Sequence, residues 1–209
     1  ELEISSAEIA FGDTTFAATF KGMPPPAGAL SPNGTPFDMA FVLNVRLANL
    51  PMDQFGAIWP KPIITNARAW ITANMSKGIF PKGDVTVNGK FIWDDIGNMV
   101  LDSIGGTITA RNASIRYIGG MPNVENVDAD GTFDLDHMDI NVAKGGIGAL
   151  KLQPFVIEMT DFMQNVQNIH IPLRIEGPVR DVIKFLDEPA LGYASAVGLR
   201  ADDGSGKVE

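Results

Sequence analysis

Between Phe37 and Leu47 every odd position carries a large apolar side chain: Phe37, Met39, Phe41, Leu43, Val45 and Leu47. The even positions, Asp38, Ala40, Val42, Asn44 and Arg46, are mostly smaller or polar. A repeat of two belongs to an extended strand, whose successive side chains leave on opposite faces. A helix would scatter the same residues around its axis. At about 3.3 Å per residue the stretch reaches roughly 36 Å, about twice an ordinary globular strand. Any fold for this chain must therefore accommodate a long strand with one apolar face.

Weaker versions of the pattern recur. Thr14, Phe16, Ala18 and Phe20 alternate with Thr15, Ala17 and Thr19, and Val85, Val87, Phe91 and Trp93 alternate around Gly89. Met138, Ile140 and Val142 alternate with Asp139 and Asn141, as do Ile169, Ile171, Leu173 and Ile175 with His170, Pro172 and Arg174. Gly105-Gly106, Gly119-Gly120, Gly145-Gly146 and Asp202-Asp203-Gly204 read as turns between strands. The Pro- and Gly-rich stretch from Met23 to Pro36 reads as an exposed loop. Together these features predict a mainly β fold built as an elongated antiparallel sheet.

Two short helices interrupt it. One is predicted from Asn66, as N-cap, to Lys77, with Gly78 as its stop and Trp70, Ile71 and Met75 facing the sheet. The other runs from Pro178 through Val182, Ile183 and Leu186 and ends before Pro189. Residues 1–209 read as one β-rich segment, part of a longer chain.

Charge and composition narrow the chemistry. With a formal net charge of -9 the chain is a poor ligand for nucleic acid and for an anionic bilayer surface. It has no cysteine, which removes thiolate metal sites and thiol nucleophiles. Asp94-Asp95 and Asp134 with Asp136 are candidate carboxylate pairs for glycoside chemistry. Neighbours on a strand diverge, however, and Asp134 and Asp136 share the polar side opposite Phe133 and Leu135. His137 and His170 lie on polar sides of separate strands, far from the convergent ligand set zinc requires. The expectation is of no catalytic residue, no metal site and no cofactor.

Several short motifs, in order, resemble the AsmA-like family of bacterial envelope proteins, which includes the YhdP and TamB types. They are Leu50-Pro51, Trp59-Pro60, Ala67-Arg68-Ala69-Trp70-Ile71, Asn74 and Gly78. Tyr117, Gly120-Met121-Pro122, Val127, Gly145-Gly146, Ile175-Glu176-Gly177-Pro178 and Glu188-Pro189-Ala190-Leu191-Gly192-Tyr193 continue the series. The resemblance implies a periplasmic protein anchored in the inner membrane through a segment outside these residues. It also implies a curved sheet with a hydrophobic groove that conducts phospholipid or another acyl lipid towards the outer membrane, beside flanking envelope proteins. On that basis Phe37, Met39, Phe41, Leu43, Val45 and Leu47 are the expected lipid contacts. The alternative is a structural or assembly scaffold for outer-membrane proteins that binds by strand addition.

Overall fold

The computed structural model describes residues 2–58, 65–164, 166 and 168–208. Strand accounts for 54% of the chain and helix for 17%, and the strands form a single curved, unclosed antiparallel sheet. The sheet begins with β1 (Leu2–Phe11), β2 (Thr14–Met23) and β3 (Met39–Pro51). It continues through β5 (Ile79–Phe91), β6 (Val100–Ile115), β7 (Val124–Phe133) and β8 (His137–Ile147), each paired with the strand before it. A two-residue strand, β4 (Met75–Ser76), pairs with the end of β6.

Beyond β8 the ladder breaks in two. β9 (Leu150–Leu152) and β10 (Phe155–Thr160) both pair with β8, separated by Gln153-Pro154. β11 (Asn168–His170) continues from β10, and β12 (Ile175–Pro178) continues from β9. Pro154 and Pro172 lack the N–H that the ladder needs at the break. The predicted alternation from Ile169 to Ile175 is thereby corrected: Ile171 and Leu173 lie outside any strand and are exposed. β13 (Lys207–Val208) pairs with β12 and ends the order.

The helices sit at the ends. A 3-10 turn (Met52–Gln54), α1 (Phe55–Ile58) and α2 (Thr65–Asn74) follow β3. Asn66 is inside α2 and not its N-cap, and the helix stops at Asn74, because Met75 is already in a strand. Arg116 closes that end: its guanidinium donates to the Ala73 carbonyl at 3.0 Å and to Asn74 Oδ1 at 3.1 Å. A cation on the last carbonyls satisfies acceptors that the helix leaves open. Ile71 and Met75 pack on the core as expected, whereas Trp70 is exposed. α3 (Val179–Leu186) begins directly after Pro178 and buries Ile183 and Phe185. α4 (Tyr193–Ala196) follows it. The stretch between β2 and β3 is irregular, with one bridge between Leu30 and Pro36.

Two of the predicted glycine turns are not turns. Gly105-Gly106 lies in the middle of β6 and Gly145-Gly146 near the end of β8. A Cβ on Gly106 would run into the Asp84 carbonyl oxygen of β5, and one on Gly145 would stand 3.0 Å from Leu152 Cδ1. Gly106 permits the close approach of the neighbouring backbone, and Gly145 makes room for a large side chain from the next strand.

Candidate functional site

Residues directly opposite each other in an antiparallel ladder share a face, so the registers define what each side of the sheet presents. One row runs Ile9, Phe16, Leu47, Gly83, Ile108, Gly131, Ile140, Ile157 across eight strands. The next on the same side runs Ala7, Ala18, Val45, Val85, Gly106, Phe133, Met138, Met159, Ile169. Neither contains a polar side chain. The row between them, on the opposite side, reads Glu8, Ala17, Arg46, Asp84, Thr107, Thr132, Asp139, Glu158, His170. Along these rows the sheet is apolar on one side and mostly polar on the other.

The polar side is knitted by short-range pairs. Arg46 meets Asp84 at 3.2 Å and Lys144 meets Asp128 at 3.0 Å. Thr86 donates to Asn44 Oδ1 at 2.8 Å, and Asn44 in turn donates to Thr19 at 3.1 Å. Exposed pairs of this kind add about 0–1 kcal/mol each, so they set register more than stability.

Five of the six expected contact residues, Met39, Phe41, Leu43, Val45 and Leu47, lie on the apolar side of β3, and Phe37 precedes the strand. Phe37, Phe41 and Leu47 are buried, at 7%, 6% and 8% exposure, while Met39, Leu43 and Val45 are half-buried. Glycines lie beneath two of the buried side chains. Phe41 is flanked in register by Gly22 and Gly89, and a Cβ on Gly89 would lie 2.9 Å from the Phe41 ring. Leu47 lies in the same way over Gly83. Burial here comes from the sheet's own side chains lying flat over bare backbone.

The two ends of the apolar side differ. At one, Asn49, Asn112 and Asn126 take positive φ of 53, 57 and 55°, and the registers of β6 and β7 shift around Asn112 and Asn126. The alternation therefore changes phase, so that Leu50, Ala113 and Val127 are buried alongside Phe80. Met52 and Phe55 cover them, with the Phe55 and Phe80 rings 5.0 Å apart. At the other end Phe20 stacks on Phe41 at 6.0 Å, Phe41 contacts Phe91 at 5.8 Å, and Phe91 meets the exposed Trp93 edge-on at 4.8 Å. A separate cluster of Met121, Ile147, Leu150 and Phe185 holds α3 to β8 and β9. Within it the Tyr117 hydroxyl is buried without a hydrogen-bond partner, and burial, followed by the charge of Glu188, pushes its pKa up.

The carboxylates considered for chemistry do other things. Asp94 and Asp95 lie in a 3-10 segment (Trp93–Asn98), not on a strand. Asp134 and Asp136 lie in the turn between β7 and β8, not on a strand face. Asp134 Oδ1 accepts the N–H groups of Asp136 at 2.8 Å and His137 at 2.9 Å, which lowers its pKa and fixes the turn. His137 Nε2 is 2.8 Å from Asp139 Oδ1, while His170 is exposed on β11. Among the described residues no group of three or more such side chains converges as metal ligands would. Two shallow depressions are present, one of about 290 Å³ beside Arg46 and Asp84 whose lining includes Leu47, and one of about 310 Å³ beside Lys184 and Glu188.

Sequence reasoning missed most of the apolar side. Val85, Val87, Ile108, Phe133, Ile157 and Met159 belong to it, and only the pairing registers join them to β3. Trp59-Pro60, one of the family motifs, lies outside the described residues. No protein-family model, curated protein or solved structure matches the chain.

Proposed function

We propose that this protein is a non-enzymatic lipid-handling module whose apolar sheet face receives acyl chains. One observation carries the reading. Two neighbouring rows across eight and nine strands are wholly apolar, on a sheet that does not close, while the row between them on the other side is polar. A hydrocarbon chain has no hydrogen bonds to satisfy and loses none on such a surface. Each methylene it buries contributes about 0.8 kcal/mol. The half-buried Met39, Leu43, Val45, Val85 and Val87 form the floor on which it lies. Met138 and Met159 in the same row have flexible thioethers that adapt to irregular chains. The polar side faces water, and the lipid headgroup projects past the sheet.

The resemblance to AsmA-like proteins extends this to phospholipid transfer between inner and outer bacterial membranes, in the periplasm and beside a membrane anchor. Native mass spectrometry of the protein purified in mild detergent tests the reading. Diacyl lipid should remain bound and be lost when Val87 is replaced by aspartate. A lipid-free protein that also fails to take up added phospholipid from vesicles would refute it.

A further inference from the structure

Two methionines face each other in the apolar floor. Met138 of β8 pairs in register with Met159 of β10, and both lie in the row that runs through Val45 and Val85. Neither strand borders the sheet: β8 has β7 on one side and β10 on the other, and β10 is followed by β11. Both side chains are half-buried, unlike Met52 and Met121, which are closed in at 4% and 7% exposure. Their neighbour in the row, Phe133, does not cover them. Its ring reaches over Gly106 of β6, on the side away from Met138. A thioether in this position is open to a small oxidant as well as to an acyl chain. Oxidation gives it a strong dipole, and the row offers no polar side chain to receive one.

We propose that Met138 and Met159 are a site of reversible oxidation that switches the lipid-bearing face between an apolar and a polar floor. This inference rests on the lipid reading of that face. The oxidant is a peroxide. A sulfur lone pair attacks one peroxide oxygen, the S–O bond forms as the O–O bond breaks, and hydrogen peroxide leaves as water. Each sulfur gives up an electron pair and becomes a sulfoxide, polar where the thioether was apolar. An acyl chain laid on the row then covers the sulfoxide oxygens without supplying a hydrogen bond, and their lost solvation counts against binding. Because the two residues are directly opposite, both dipoles fall in one stretch of floor. Folding is spared, since in the lipid-free protein the half-exposed sulfoxides keep contact with water. A methionine sulfoxide reductase drawing on a dithiol returns each sulfur to the thioether. Met163 is the contrast: in the turn after β10 it is 68% exposed and oxidises readily, but it lies outside the row.

Limited treatment of the lipid-free protein with hydrogen peroxide, followed by peptide mass spectrometry, gives the order of oxidation. Met163 should react first, Met138 and Met159 next, and Met52 and Met121 last. Loading from phosphatidylcholine vesicles should slow oxidation of Met138 and Met159 and leave Met163 unchanged. Oxidised protein should bind phosphatidylcholine on the order of tenfold more weakly with its circular dichroism unaltered. Sulfoxide reductase with dithiothreitol should restore the binding. Met163→Leu should keep this peroxide response. The double variant Met138→Leu, Met159→Leu, compared before and after peroxide, should lose it, because leucine conserves volume and has no sulfur to oxidise. Four results overturn the proposal: Met138 and Met159 react no faster than Met52, lipid binding survives oxidation of both, the loss of binding tracks unfolding, or the double leucine variant still responds. Untreated protein that binds no phospholipid would refute the lipid reading itself, and this proposal with it.

Discussion

Leu47 of β3 lies flat over Gly83 of β5, where a Cβ would come within 2.9 Å of its Cγ. The leucine owes its burial to a missing side chain on the next strand. Gly83→Ala therefore lifts Leu47 off the sheet and should lower stability by about 1–3 kcal/mol, the usual cost of overpacking. Gly119→Ala, at a turn where nothing lies within 4 Å, should stay within about 0.5 kcal/mol of the parent. Urea titration of both variants makes the comparison, and equal midpoints would contradict it.

Phe41 and Leu43 face the same way on β3 but differ in burial. At 6% exposure Phe41 has no water to solvate a charge, so Phe41→Asp should cost about 3–5 kcal/mol. Leu43→Asp, half-exposed, should melt closer to the parent. Thermal denaturation followed by circular dichroism ranks the two, and the opposite order would contradict the placement of the stripe.

Asn112 holds a positive φ of 57° while its N–H donates to Asp128 Oδ1 at 2.9 Å. Glycine adopts that backbone freely, whereas a β-branched residue resists it. Asn112→Gly should be neutral within about 0.5 kcal/mol, and Asn112→Val should cost about 1–2 kcal/mol. Equilibrium unfolding of the pair isolates the backbone effect.

Glu125 accepts hydrogen bonds from the Ser114 hydroxyl at 2.9 Å and from Lys77 at 3.1 Å, and these hold its pKa below the ordinary 4.5. A carboxylate with a lowered folded-state pKa binds fewer protons folded than unfolded. Its stabilisation is complete above pH 4.5 and is lost as pH falls through the folded value. Glu125→Gln should therefore lie below the parent at neutral pH and converge on it in acid. A pH series of melting temperatures shows whether the gap closes.

The strand content and the amphipathic face of β3 were legible in sequence, because alternation is a local signal. The phase change at Asn49 was not: a single left-handed residue turns Leu50 into a core position without altering the composition around it. Gly106 and Gly145 misled for a related reason, since a glycine set close against a neighbour's backbone or side chain looks the same in sequence as a glycine in a turn. The width of the apolar side was hidden too. Ile108, Gly131 and Ile140 join Leu47 only through registers set by distant strands. α3 was placed within a residue of its start by Pro178, though burial of Phe185 depends on its packing against Met121, Ile147 and Leu150.

Val87 and Thr86 are consecutive in β5 but face opposite ways, Val87 beside Leu43 on the apolar side and Thr86 donating to Asn44 on the polar side. A photo-reactive phenylalanine placed at each position in turn, in protein loaded with radiolabelled phospholipid, tests the lipid reading most directly. A lipid adduct is expected at position 87 and background labelling at 86. Equal labelling at the two positions, or none at 87 with lipid present in excess, would contradict it.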